Sequence, residues 1–167
     1  MKNPFDIWTL ETVDGAVLGL CPLPGRTGAL DRDVEKIAAW DPGLVVSLTE
    51  PEENKQAGVS DLAGAFDRSG IACCNFAVRD FDVPGPAQQV DWDALADRVH
   101  AVLDAGGRVL FHCHGGRGRS GMALLRILVE RGENPEAALS RLRAVRPGAV
   151  ETPAQLAWAR APAGIDG

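Results

Sequence analysis

What this 167-residue chain lacks closes several classes of function. It has no basic surplus: 17 Lys and Arg stand against 23 Asp and Glu, giving a net charge of −6 and a pI near 5.0. No global field therefore draws it to nucleic acid or to an anionic membrane surface, and attraction for a phosphorylated substrate must be local to a site. No apolar run approaches the length of a membrane span, so stable membrane association is not expected, and Met1-Lys-Asn-Pro-Phe-Asp6 does not have the form of a secretory signal. The four cysteines, Cys21, Cys73, Cys74 and Cys113, contain no Cys-x-x-Cys pair, and their spacing suits neither a zinc site nor a disulfide framework. A reducing, cytoplasmic setting is expected. Cys73 and Cys74 are adjacent in an apolar run and read as small buried hydrophobes, one on each face of a strand, with a redox partnership to Cys113 as the other reading. Internal repeats and linkers are also missing, so residues 1–167 are expected to form one domain, long enough to bury roughly two-thirds of its unfolded surface.

Against those absences one stretch stands out, Arg108-Val-Leu-Phe-His-Cys-His-Gly-Gly-Arg-Gly-Arg-Ser-Gly121. It reads as a buried strand over Val109–Phe111, a tight loop rich in glycine, and the start of a helix. Gly115, Gly116 and Gly118 permit backbone conformations that turn successive N–H groups toward one centre, and a helix N-terminus adds partial positive charge there. His114 and Arg117 complete that loop. It is built to hold an oxyanion the size of phosphate. Cys113 stands at its entry, where helix N-termini and cations favour the nucleophilic thiolate. Arg119 can fork two donors onto two phosphoryl oxygens, and Ser120 places a hydroxyl beside the sulfur. The glycines and arginines favour an anion over a metal bound by His112, Cys113 and His114, and no cofactor is expected.

The pattern His112-Cys113-(x)5-Arg119-Ser120 resembles the signature of the cysteine-dependent protein tyrosine and dual-specificity phosphatases, most of all the small kinase-associated dual-specificity group. Leu23-Pro24-Gly25 and Asp80-Phe81-Asp82-Val83-Pro84 extend the likeness, which covers roughly residues 18–160. The resemblance implies a three-layer α/β fold with a central, mostly parallel sheet flanked by helices. It implies hydrolysis of a phosphorylated protein or peptide through a phosphocysteine, with His112 supporting the cysteine loop. It also implies a general acid on a second loop. The family's Asp-(x)3-Pro falls on Asp80, although Arg79 and Asp82 replace the usual Pro and Gly, which leaves Asp82 as the other candidate. The family's Gln-Thr-x-x-Gln, whose glutamines position the hydrolytic water, aligns with Glu151-Thr152-Pro153-Ala154-Gln155. Gln155 matches; Glu151 replaces the first Gln and can orient water or favour a helix start. Phosphoinositide phosphatases of the superfamily often carry basic residues at the positions of His114 and Arg117, so an inositol phosphate is the alternative substrate. Arg117 in a structural salt bridge is the plainer reading. Two further readings are a catalytically silent phosphate-binding module and a rhodanese-like sulfurtransferase, but neither needs Arg119, Ser120 and a second-loop acid together.

The remaining pattern alternates short apolar runs with amphipathic segments, which predicts strand–helix–strand crossovers and a site beyond the C-terminal ends of the strands. Asp14-Gly15 predicts a two-residue hairpin turn. Asp31 or Asp33 is expected to cap a helix ending at Asp41-Pro42-Gly43, then comes a strand over 44–48. Residues 50–58 read as a charged loop and 79–86 as a proline-stiffened one. Asp91 is expected to cap a long helix, Asn134-Pro135 and Thr152-Pro153 to start two more. The tail from Ala161 is expected to fray.

Overall fold

The computed structural model describes residues 5–165; of the expected frayed tail, positions 166 and 167 lie outside the described residues. Five strands, β1 (Trp8–Glu11), β2 (Val17–Cys21), β3 (Leu44–Ser47), β4 (Cys73–Asn75) and β5 (Arg108–His112), form one sheet in the order β1-β2-β5-β3-β4. The first pair is antiparallel and all the others are parallel. Among the described residues seven α-helices accompany them: α1 (Leu30–Trp40), α2 (Pro51–Gln56), α3 (Leu62–Arg68), α4 (Gln89–Asp104), α5 (Gly118–Glu130), α6 (Pro135–Val145) and α7 (Pro153–Ile165). This is the expected α/β, three-layer arrangement.

Strand alternation sends side chains to two cores. Val109, Phe111, Leu44, Val46, Leu18 and Leu20 pack against α4 to α7, while Leu110, Val45 and Cys21 pack against α1 and α3. The central strand β5 is buried on both faces, as parallel sheets require. Cys73 and Cys74 do face opposite cores, but β4 is the edge strand and both are half-buried. Burial, followed by the neighbouring Cys74, pushes the Cys73 thiol up to about 11. Two strand spacings, about 9–10 Å, separate β4 from β5, so a disulfide from either cysteine to Cys113 would need the backbone to move.

Several boundaries differ from the sequence expectation. The hairpin turn has three residues, because Thr12 N–H still donates to Ala16 O at 2.8 Å and Gly15 takes φ +90°. Asp33 does not cap α1, which begins after Ala29; its carboxylate is buried and accepts from Gly25 N–H at 2.8 Å, bracing the loop after β2. Asp91 lies inside the first turn of α4 and caps nothing. The charged segment 50–58 is a loop only in part: Pro51 opens α2, and the Glu53 side chain accepts from Glu50 N–H at 3.0 Å. Asn134 caps α6 as expected, with its oxygen accepting from Ala137 N–H at 3.0 Å. Helix α7 continues past Ala161 to Ile165 with Pro162 inside it. Proline removes the donor for the carbonyl four residues back, and Arg126 Nη1 takes that Trp158 carbonyl at 3.0 Å instead.

Candidate active site

The parallel strands deliver four loops to one edge of the sheet: after β2, after β3, after β4 and after β5. The β5 loop, residues 113–117, lies between the end of the central strand and the first turn of α5, which begins at Gly118 rather than further along. Its carbonyls are drawn outward one after another. His112 O accepts from Leu48 N–H at 2.9 Å, and Cys113 O from His112 Nδ1 at 3.2 Å. His114 O accepts from Leu23 N–H at 3.0 Å and from Arg26 Nη1 at 3.2 Å. Gly115 O and Gly116 O accept from Arg146 Nη2 and Nε, both at 3.0 Å, and Arg117 O from Val150 N–H at 3.0 Å and Gly121 N–H at 3.1 Å. With the carbonyls held outside, the amide N–H groups are left for the concave side, where they and the α5 N-terminus form an anion cradle. Gly116 is indispensable to this path. It takes φ +72°, and a Cβ there would lie 2.7 Å from the Cys21 carbonyl carbon.

Cys113 is 2% exposed and its Sγ lies 3.2 Å from Ser120 Oγ. Beneath it His112 is fully buried. A carbonyl can only accept, so Nδ1 carries the proton given to Cys113 O, and Nε2 accepts from the Ser47 hydroxyl in a short contact. Burial depresses His112 to about 4, only partly offset by the bond to Cys113 O, so the ring is neutral near pH 7.

Arg119 is the largest charged group in the site and its side chain is fully buried. Its Nη1 donates to Glu53 Oε1 at 2.8 Å and to Val78 O at 2.9 Å, and its Nη2 donates to Glu53 Oε2 at 2.7 Å. Asp80 Oδ1 stands 3.2 Å from the same Nη2. Arg119 Nε is buried without a partner, and the second N–H of Nη2 faces only Asp80, so these two donors are the ones a phosphoryl group would take. Burial alone would raise the Glu53 carboxyl, but the Arg119 bonds and the Glu50 amide hold it below its ordinary value. Sequence reasoning missed Glu53, Arg26 and Arg146. Glu53 had a local signal in Glu50-Pro51-Glu52-Glu53, a proline-led start with an acid at the third helical position. Arg26 and Arg146 reach the loop from 88 and about 30 positions away in sequence, a distance no local pattern encodes.

The structure brings Asp80, but not the Asp82 carboxylate, to Arg119. Asp82 turns its carboxylate to Val83 N–H at 2.8 Å, and its carbonyl accepts from Gln155 Nε2 at 3.2 Å. Gln155 is buried, and its oxygen accepts from Glu151 N–H at 2.9 Å and Thr152 N–H at 3.2 Å. Its amide is committed to joining α7 to the loop that carries Asp80 and Asp82. Glu151 reaches the start of α5, so close that a Cβ at Gly118 would sit 2.3 Å from its Oε1. His114 is half-exposed, 4.0 Å from Glu53, and lines a cleft of about 390 Å³ together with Arg79, Asp80 and Gln56. Arg117 is exposed and lies along Gly148; among the described residues it has no carboxylate within salt-bridge distance, so the expected structural salt bridge is not formed. Among the described residues no group of three metal-ligating side chains is placed to hold a metal.

A cysteine and an arginine sharing one glycine-built anion cradle beyond a parallel sheet define the cysteine-dependent protein tyrosine and dual-specificity phosphatases. Residues 20–133 match the model of the Tc-R-P family, described as a polymorphic toxin system DSP-PTPase phosphatase, and the chain belongs to that family. It is similar to protein tyrosine phosphatase domain-containing protein 1 from Mus musculus, 28% identical over 140 residues, and from Bos taurus, 31% identical over 122 residues. Those matches take in 77% and 71% of the chain but only 18% and 14% of the relatives' own length. Kinase-associated phosphatase, solved with serine in place of its catalytic-site cysteine, shares the fold with a TM-score of 0.86 at 22% identity, over 99% of this chain and 97% of that one. Tk-PTP in its active form superposes with a TM-score of 0.70 at 28% identity, over 87% and 90% of the two chains. The chain carries a DSP-PTPase domain of this superfamily.

Proposed function

We propose that the chain hydrolyses phosphotyrosine in proteins or peptides, with phosphoserine and phosphothreonine as further substrates, through a phosphocysteine intermediate. One observation carries this reading above the others: the unpartnered Nε of buried Arg119 shares a cradle of inward amides with Cys113 Sγ, itself 3.2 Å from the Ser120 hydroxyl. The Cys113 thiolate attacks phosphorus, an S–P bond forms as the P–O ester bond breaks, and Asp80 protonates the leaving oxygen. Water then attacks phosphorus and the S–P bond breaks; its proton returns to Asp80, and Ser120 stabilises the departing thiolate. Glu151, beside Gly118, is placed to orient that water, while Gln155 fixes the acid-bearing loop. Proton transfer to the leaving group contributes about 10²–10⁴-fold in such chemistry, and the preorganised amides stabilise the charge spread over the phosphoryl oxygens.

A second reading, an inositol phosphate as substrate, is favoured by the exposed Arg26 and Arg117 on and beside the loop, which offer charge to further phosphates. The test is phosphate release from a panel of phosphotyrosine peptides, phosphothreonine peptides and inositol phosphates, in EDTA and with vanadate as inhibitor. Cys113→Ser is expected to abolish release while retaining peptide binding. Release that needs a divalent metal, or survives Cys113→Ser, sinks the thiolate mechanism; release from inositol phosphates alone moves the assignment to the second reading.

A further inference from the structure

Arg146 performs its task with no carboxylate bonded to it among the described residues. It lies just after α6, and its Nε and Nη2 fork onto the carbonyls of Gly116 and Gly115 at 3.0 Å each, on the outer side of the anion cradle. Among the described residues it has no acid within salt-bridge distance. Burial, then the positive charges of Arg117 and Arg26, pull its guanidinium below its ordinary value. The negative charges of Cys113 and Glu151 offset this in part, and an aromatic face adds to them. The Trp8 ring lies 3.8 Å from the Arg146 guanidinium carbon, face on. A guanidinium can fork in its own plane and stack on an aromatic face at the same time, so the two contacts do not compete.

The register explains why Trp8 is there. β1 runs antiparallel to β2, so its first residue, Trp8, pairs with Leu20 at the C-terminal end of β2, next to Cys21, which pairs with His112. Trp8 and Leu10 face the α4–α7 core, and α6 packs against β1. The N-terminal hairpin therefore presents an aromatic face at the level of the cradle.

We infer that Trp8 is a positioning residue for the anion cradle, acting through Arg146. The two carbonyls that Arg146 holds belong to glycines, whose peptide units can rotate at low cost. When the stack is lost, the guanidinium swings toward solvent, the carbonyls are released, and a peptide that turns over replaces an inward donor with an inward acceptor. The cost falls on oxyanion binding before it falls on folding.

Vanadate inhibition and kcat/KM on p-nitrophenyl phosphate read this directly and do not depend on which substrate class is correct. Trp8→Leu is expected to weaken vanadate binding roughly three- to thirtyfold, the range for a partly desolvated cation–π contact, while Trp8→Phe keeps most of the affinity. In an Arg146→Ala background, Trp8→Leu should add no further loss, because both variants remove one interaction. Thr9→Val removes the bond from Trp40 Nε1 at 3.0 Å in the same strand, and it should lower the melting temperature without moving vanadate affinity. Trp8→Met repeats the test should Trp8→Leu not fold. Folded Trp8→Leu or Trp8→Met with wild-type vanadate affinity overturns the inference. So do fully additive losses with Arg146→Ala, or an equal vanadate loss in Thr9→Val.

Discussion

The two loops that meet at the site are held in opposite ways. The cradle of residues 113–117 has its carbonyls bonded by His112 and Gly121 at its two ends and by Leu23, Arg26, Arg146 and Val150 from outside, and Cys113 and the neighbouring Arg119 are buried. The loop that carries Asp80 is exposed, with Phe81 at φ +64° and 59% of its surface open to solvent. Most of its ties are to side chains: Gln155 Nε2 to Asp82 O, Gln88 Nε2 to Ala77 O and Gly85 N–H to Gln88 Oε1, both at 2.9 Å, Arg119 Nη1 to Val78 O, and Asp80 to Arg119. A fixed electrostatic cradle needs no reorganisation when charge develops on phosphorus. A general acid must meet leaving groups of different size and reach, and a lightly tethered loop suits that task.

The comparison can be broken most forcefully at the acid. Asp80→Ala is expected to lower kcat about 10²–10⁴-fold on an alkyl phosphate and far less on p-nitrophenyl phosphate, whose leaving group needs no proton. Steady-state kinetics on both substrates checks it, and an equal selective loss in Asp82→Ala alone would move the acid to that residue. The cradle's support comes next. Glu53→Gln leaves the buried Arg119 guanidinium without its carboxylate, and a loss of about 3 kcal/mol in urea unfolding is expected, with kcat/KM reduced on every substrate alike. A substrate-selective loss would place Glu53 with the acid loop instead. The smallest effect is in pH. Because the folded His112 titrates near 4 and the unfolded one near 6.5, the unfolded chain takes a proton between those values that the folded chain refuses. Stability therefore falls as pH drops through that window, by about 2 kcal/mol between pH 7 and pH 5. His112→Asn should flatten that part of the slope; an unchanged slope would show that His112 does not carry it.

How legible each region was follows the same division. The strand, cradle and helix of residues 108–130 could be read because glycine spacing, apolar runs and the Cys113–Arg119 separation all lie within one segment. Helix α2 could not. Pro51–Gln56 has no apolar period and buries no residue; it exists through its proline start and the Glu53 side chain, and its purpose becomes visible only when Arg119, 66 positions away, reaches it. Asp33 and Asp91 were plausible caps by residue type, but tertiary demand for a buried acceptor at Gly25 claimed the first. The tail was expected to fray from Ala161, but α7 runs on to Ile165 across Pro162, and Arg126 from another helix donates to the Trp158 carbonyl in place of the N–H that Pro162 lacks. Local chemistry wrote the cysteine loop; long-range pairing wrote its supports.

The 3.2 Å approach of Asp80 to Arg119 has a consequence for the resting enzyme. A carboxylate there is an internal ligand, an anion that the chain lends to its own guanidinium until a phosphoryl group arrives. Every incoming oxyanion must compete with it, so measured affinity is the difference between two occupants of one cation. The displaced carboxylate is then left beside the arriving phosphoryl group, on the loop proposed to serve the leaving oxygen. Binding and release of Asp80 from the guanidinium are thus one event.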